Sequence, residues 1–239
     1  MGCHILDAPY KTLGLHYPTD VECSVSQVFQ KAWNMNFIPA GCPASSIVTL
    51  NFDKTAKNDS KIEMIWMDGG LRPSHPEFIP ADDFLGEENS TNGVLMIGET
   101  GVISCGVYGL GAKLYRKGQE TIEFSTDGHA NSLDHVHHME WINGIKGGYG
   151  SDEYKKITAP FEYAGPFTET VLMGNLAIRS YMSMGKDKPK YAPNTYSTSE
   201  YSKFVGRKKL LWDGDNMKIT NFDEANKFVG RTRRSGWNI

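Results

Sequence analysis

Four stretches of this sequence combine residue types that could handle protons or hydroxyls. His4, in Gly2-Cys3-His4 at the opening of a helical pattern, carries an imidazole that could relay a proton. A helix-end histidine bonded to backbone is the plainer reading, and the residue type alone favours it. His135, His137 and His138 form H-x-H-H, with His135 and His138 three apart on one helical face. No carboxylate or cysteine at metal-ligand spacing completes that pair, so no metal is expected. Trp66-Met67-Asp68-Gly69-Gly70-Leu71-Arg72-Pro73 joins an aromatic ring, an acid and a base around two glycines. Such a turn suits a polyol, with the ring covering C–H surface and the charges bonding hydroxyls. An ordinary hairpin exit explains it equally well. Tyr163-Ala-Gly-Pro-Phe-Thr-Glu169 leads into a helix whose free N–H groups could meet a hydroxyl or anion. A plain capped helix start is the simpler account.

Several chemistries are excluded. No G-x-G-x-x-G follows a strand, since Gly106, Gly109 and Gly111 precede no helix. Phosphate-loop, H-E-x-x-H and G-x-S-x-G patterns are also missing. A free-standing nicotinamide-binding (Rossmann) domain is therefore not expected in this chain. The four cysteines, Cys3, Cys23, Cys42 and Cys105, are dispersed without a C-x-x-C pair and read as reduced. A Cys23–Cys42 disulfide has no support in the spacing. The net charge of −3 comes without a basic stripe, so nucleic acid is not an expected partner. No apolar run approaches the ~20 residues of a membrane span, and no signal-peptide pattern opens the chain. The compartment stays undetermined, cytoplasmic by default, with export left open because a targeting segment could precede Met1.

The elements that would position these groups follow from periodicity. Residues 1–15 read as a helix bent at Pro9 and stopped by Gly14. Residues 20–29, 46–52 and 61–67 alternate as strands, the last two forming a hairpin around the polar tract 55–60. Residues 74–92 read as an acidic surface loop. Residues 93–98 and 102–108 form a second hairpin, and 113–115 an edge strand. A helix is expected over 131–146, capped by Asn131, Ser132 or Asp134. A long buried helix follows over 163–184, with Pro166 in its first turn and Gly185 as its stop. Lys186–Ser202 reads as a loop, 209–212 and 217–220 as a strand pair, and 222–229 as a helix capped by Asn221. The tail, with Trp237 and Ile239, reads as docked. This predicts one α+β domain over residues 1–239, a two-layer arrangement with a large, open, mostly antiparallel sheet and helices on one face. The strands carry large apolar residues on both parities, which implies that the second sheet face also packs, on another subunit.

Taken together, six stretches resemble one family in order: Met1–Asp7, Trp66–Pro73, Gly93–Gly98, Glu140–Gly148, Tyr163–Val171 with Gly174–Ala177, and Leu211–Asp213 with Asn216–Thr220. The chain resembles the C-terminal domain of the glucose–fructose oxidoreductase/inositol dehydrogenase (Gfo/Idh/MocA) family, in its Bacteroidetes-type subgroup. The resemblance implies the substrate-binding and oligomerisation half of an NAD- or NADP-dependent oxidoreductase acting on a sugar, polyol or sugar derivative. It implies assembly as a homodimer or homotetramer through the sheet face. The family's nucleotide-binding domain and its catalytic lysine have no counterpart here, so no cofactor is expected on this chain alone. By the resemblance His4 is the catalytic acid/base, and the aspartate one turn before it would fall ahead of Met1. The chain thus begins in mid-motif and is expected to be inactive alone. Arg72, His138 and Tyr163 would surround the sugar, with Asp7, Asp68 and Glu169 beside them. A stand-alone carbohydrate-binding or oligomerisation module, and part of an NAD-dependent glycosidase, remain the alternatives.

Overall fold

The structure, a computed structural model, describes residues 1–31, 34–36, 41–87, 92–125, 130–183, 204–230 and 233–237. In chain order the first elements are α1 (Gly2–Ile5), α2 (Asp7–Leu13), β1 (Asp20–Val25), β2 (Val28–Lys31), β3 (Asn34–Asn36), β4 (Ser46–Phe52) and β5 (Ile62–Met67). Then come β6 (Val94–Ile97), β7 (Val102–Cys105), β8 (Lys113–Tyr115), β9 (Ile122–Glu123), α3 (Ala130–Gly147), α4 (Asp152–Lys155) and α5 (Phe161–Tyr181). β10 (Leu210–Asp213), β11 (Lys218–Ile219) and a 3-10 helix, Asp223–Phe228, follow. The fold is α+β, and every pairing among the described strands is antiparallel. The strands make open sheets of five and four members plus the β2–β3 pair. The chain forms two compact units, residues 1–12 with 75–168, and residues 13–74 with 169–239.

In the second unit the sheet order is β11-β10-β1-β4-β5. Alternation along β4 sends Val48, Leu50 and Phe52 to the core, where the register sets them opposite Trp66, Met64 and Ile62. Val21, Leu210 and Ile219 complete that apolar face. The C-terminal part of α5 covers it: Met173, Leu176 and Ala177 are buried, and a methyl at Gly174 would meet Val48 Cγ2 at 3.9 Å. The opposite face is mixed. At one end the Asp20 carboxylate accepts bonds from Asn51 Nδ2 (2.6 Å) and Thr19 Oγ1 (3.0 Å). Lys209 bridges Asp20 and Glu22 at 3.2 and 3.4 Å. At the other end lie Ile47, Ile65 and Met67, with Ile65 47% exposed.

In the first unit the order is β6-β7-β8-β9, with Val102 and Tyr115 at the core. β8 is therefore interior to the sheet, and β9, only two residues long, forms the edge. Of residues 74–92, the described part, 74–87 and 92, is not simply a surface loop. Ile79 is 3% exposed and packs on Val102 and Tyr115 with Phe78 and Leu85, while Asp83 Oδ2 accepts the Tyr115 hydroxyl at 2.8 Å. Three apolar residues and one well-placed acceptor dock the segment in spite of its acidity.

Several boundaries differ from expectation for identifiable reasons. The first helix breaks at Leu6, not at Pro9, because Pro9 has no N–H to give the Ile5 carbonyl one turn upstream. α5 begins at Phe161, where the Pro160 carbonyl accepts from Tyr163 N (3.0 Å) and Ala164 N (2.8 Å). Pro166 is thus inside the helix rather than in its first turn. Asn221 does not cap the last helix. Its Oδ1 accepts from Leu211 N (2.9 Å) and its Nδ2 donates to Lys209 O (2.9 Å), pinning β10. Trp237 is 55% exposed, its ring under the Arg234 guanidinium at 4.6 Å, so the tail is not docked through it. The expected caps Asn131, Ser132 and Asp134, the stop at Gly185 and the whole loop 186–202 lie outside the described residues and side chains. No described helix is long and apolar enough to cross a membrane.

Candidate functional site

α2 places Asp7 at its first position and Tyr10 one turn on, and both side chains meet the start of α5. The Tyr163 hydroxyl donates to Asp7 Oδ1 at 2.5 Å across 156 residues of chain. The Tyr163 ring stacks on Phe167 at 5.9 Å and meets Tyr10 edge-on at 5.8 Å. Tyr10 is almost wholly buried and rests on Phe167 at 4.9 Å. Lys11 Nζ lies 5.5 Å from the centre of the Tyr163 ring and donates to Thr158 O at 3.4 Å. Burial pushes the Tyr163 phenol well above its ordinary value, and the Asp7 charge adds to the effect. The phenol therefore stays protonated at neutral pH and serves as a donor, holding Asp7 in place. Asp7 Oδ2 accepts from none of the described residues.

His4 stands three positions before Asp7 at the end of α1, half-buried. Its ring makes a T-shaped contact with Tyr108, centres 5.1 Å apart and planes at 71°. Tyr108 sits in a turn, Val107–Gly109, with φ 60° and ψ 14°. A left-handed tyrosine is uncommon and costs about 1–3 kcal/mol. The ring is 62% exposed, so its own burial does not repay that cost. The turn is held from outside the ring. Gly106 N donates to Leu110 O at 2.8 Å, and Val107 N donates to Glu87 Oε1 at 3.0 Å. Gly106 admits no side chain, since a methyl there would lie 2.3 Å from Glu87 Cγ. Composition and spacing carried no sign of Tyr108. A positive φ is a property of the folded backbone, and the glycine after it was the one weak hint.

Of the expected residues the structure joins Asp7 to Tyr163, with Tyr10 and Lys11 against the Tyr163 ring, and sets His4 against Tyr108. His138 belongs to the same unit but lies exposed on α3 beside His137, ring centres 6.3 Å apart, and touches none of the cluster. His137 Nδ1 is 3.2 Å from Thr158 Oγ1, and His135 is exposed. No group of three or more potential metal ligands occurs among the described residues.

Asp68, Arg72 and Glu169 belong to the second unit. Asp68 is spent on the sheet. Its Oδ1 accepts from Ser46 N (2.6 Å), and its Oδ2 from Ser46 Oγ (2.8 Å) and Trp66 Nε1 (3.0 Å). The turn it opens needs Gly69, whose φ is +65° and where a methyl would lie 2.0 Å from Ala44 O. Arg72 is exposed beyond that turn. Glu169 Oε1 accepts from Trp212 Nε1 at 2.6 Å, and burial raises its carboxyl above the ordinary carboxylate range. These two carboxylates are therefore engaged with tryptophan donors, which spacing in the sequence could not reveal.

A dinucleotide needs a glycine-rich turn from a parallel strand into a helix. Among the described residues no parallel strand pair occurs. No family model matches the chain, and no curated protein matches its sequence.

Proposed function

We propose that this chain is the substrate-side portion of an NAD- or NADP-dependent oxidoreductase acting on a sugar, polyol or sugar derivative. Two things support the reading: the six stretches that resemble the glucose–fructose oxidoreductase/inositol dehydrogenase family, and the cluster around His4. The observation that carries it is the Tyr163–Asp7 hydrogen bond, which fixes a carboxylate three residues along the chain from a half-buried imidazole. Oxidation of an alcohol requires a base for the hydroxyl proton. His4 is the group suited to take that proton at its free ring nitrogen. Asp7, held by Tyr163, would accept a hydrogen bond from a neighbouring hydroxyl and orient the substrate. Asp68 and Glu169, tied to the sheet, have no part in this scheme. No step is assigned to a nucleotide. Self-association through the second unit's outer sheet face is part of the same reading. Its apolar end, Ile47, Ile65 and Met67, supports such a contact, whereas the Asp20–Lys209 network would sit at its polar rim.

The test is calorimetric and NMR titration of the purified chain with a panel of sugars and cyclic and linear polyols, and separately with NAD and NADP. Binding of at least one sugar or polyol is expected, with His4→Ala and Asp7→Asn weakening it about tenfold, the worth of one hydrogen bond to a charged group. No binding of either dinucleotide is expected. Failure of the whole panel, or micromolar NAD affinity, overturns the reading.

A further inference from the structure

Tyr108 sets an exposed, left-handed residue beside the His4 imidazole. Among the described non-glycine residues Met217 alone shares its positive φ, and it too is exposed. The Tyr108 ring is largely open to solvent, so packing does not explain the conformation. Glu87, reaching 20 residues along the chain to Val107 N, and the Gly106–Leu110 bond hold the turn. A methyl at Gly109 would lie 3.4 Å from Ala8 Cβ, so the turn rests on α2, the helix that carries Asp7. The outcome is an aromatic surface fixed in T-shaped contact with the His4 imidazole. Strain retained at an exposed position points to a job done by the side chain rather than by the fold.

We infer that Tyr108 is a specificity-determining residue, the surface on which the C–H face of a bound sugar or polyol packs while a hydroxyl of the same molecule reaches His4. The inference rests on the functional reading above. Sugars present apolar C–H patches between their hydroxyls, and an aromatic ring covers such a patch without competing for hydrogen bonds. Imidazole and ring then divide the ligand, one handling the proton and the other setting how the molecule is turned.

The experiment titrates the full chain with the sugar or polyol that binds best, comparing wild type, Tyr108→Phe, Tyr108→Gly and Tyr108→Asn, and measures each thermal midpoint. Glycine and asparagine tolerate a positive φ, so both variants should melt at or above the wild-type temperature. Both should bind about tenfold more weakly, with a larger loss for cyclic than for linear polyols. Tyr108→Phe keeps the ring and should bind within about twofold of wild type. Wild-type affinity in either the glycine or the asparagine variant overturns this inference and leaves the functional reading standing. A lower melting temperature in both variants also overturns it, because the ring would then be serving the fold. A wild-type chain that binds no sugar or polyol overturns both together.

Discussion

Replacing Asp68 with alanine removes three hydrogen bonds at once. Ser46 N, Ser46 Oγ and Trp66 Nε1 donate to the two carboxylate oxygens at 2.6, 2.8 and 3.0 Å. Each hydrogen bond to a charged group contributes about 1.5–3 kcal/mol, but the three losses are unequal. Ser46 is 1% exposed, so its N–H would be left buried without a partner, at about 1–3 kcal/mol. The Ser46 hydroxyl can rotate, and the half-buried Trp66 indole can find water. The total should fall near 3–5 kcal/mol, a large share of the 5–15 kcal/mol typical of a folded domain. Asp68→Asn, which keeps the shape and one acceptor, should lose about half as much. Urea unfolding followed by tryptophan fluorescence measures the loss as a lower midpoint at unchanged slope. The reasoning is refuted if Asp68→Ala stays within about 1 kcal/mol of wild type, the range of an ordinary surface change. A stable Asp68→Ala chain that loses sugar affinity would return the carboxylate to the ligand.

Two further expectations concern thiols and acid. Burial, with help from the Glu22 charge, pushes the Cys23 thiol up to about 12, and burial also raises Cys105, whereas Cys3 and Cys42 are exposed. Thiol titration with an aromatic disulfide reagent at pH 8 should therefore modify two of the four cysteines quickly, and fast labelling of Cys23 on peptide mapping would contradict this. Burial alone would raise the Asp83 carboxyl, but bonds from the Tyr115 hydroxyl, Phe84 N and Lys113 outweigh it and hold the group below its ordinary value. A lowered folded value favours the ionised form in the native state, so this stabilisation is present above the ordinary carboxylate pKa and is lost as pH falls through the folded value. Asp83→Asn should flatten the decline of stability between about pH 5 and pH 3; an unchanged acid profile would refute the assignment.

The strands were legible wherever one face is buried. In Ser46–Phe52 the two-residue period alone sets both the element and its ends. Elements of about a single period were not: α4 spans four residues and β9 two, and neither repeats often enough to leave a pattern. The prolines misled because their effects act at a distance. Pro9 disturbs the helix a full turn upstream, and Pro160, not Pro166, opens α5. For the site, His4 and Tyr163 could be singled out by type and by resemblance, but the bond from Tyr163 to Asp7 depends on tertiary closure over 156 residues. Asp68 shows the converse. Its neighbours Arg72 and Trp66 suggest a ligand turn, and only the strand pairing, which brings Ser46 alongside from 22 residues away, shows that its oxygens are already taken.

Residues 1–12 belong to a unit whose other members begin only at His75 and run to Thr168. During synthesis the ribosome must deliver all of the intervening residues 13–74, and then most of another hundred, before Asp7 can find the Tyr163 hydroxyl. The amino-terminal helices are far too short to persist in water unaided. The groups around His4 therefore order among the last, and amide exchange there should report a late, separately opening patch rather than the body of either sheet.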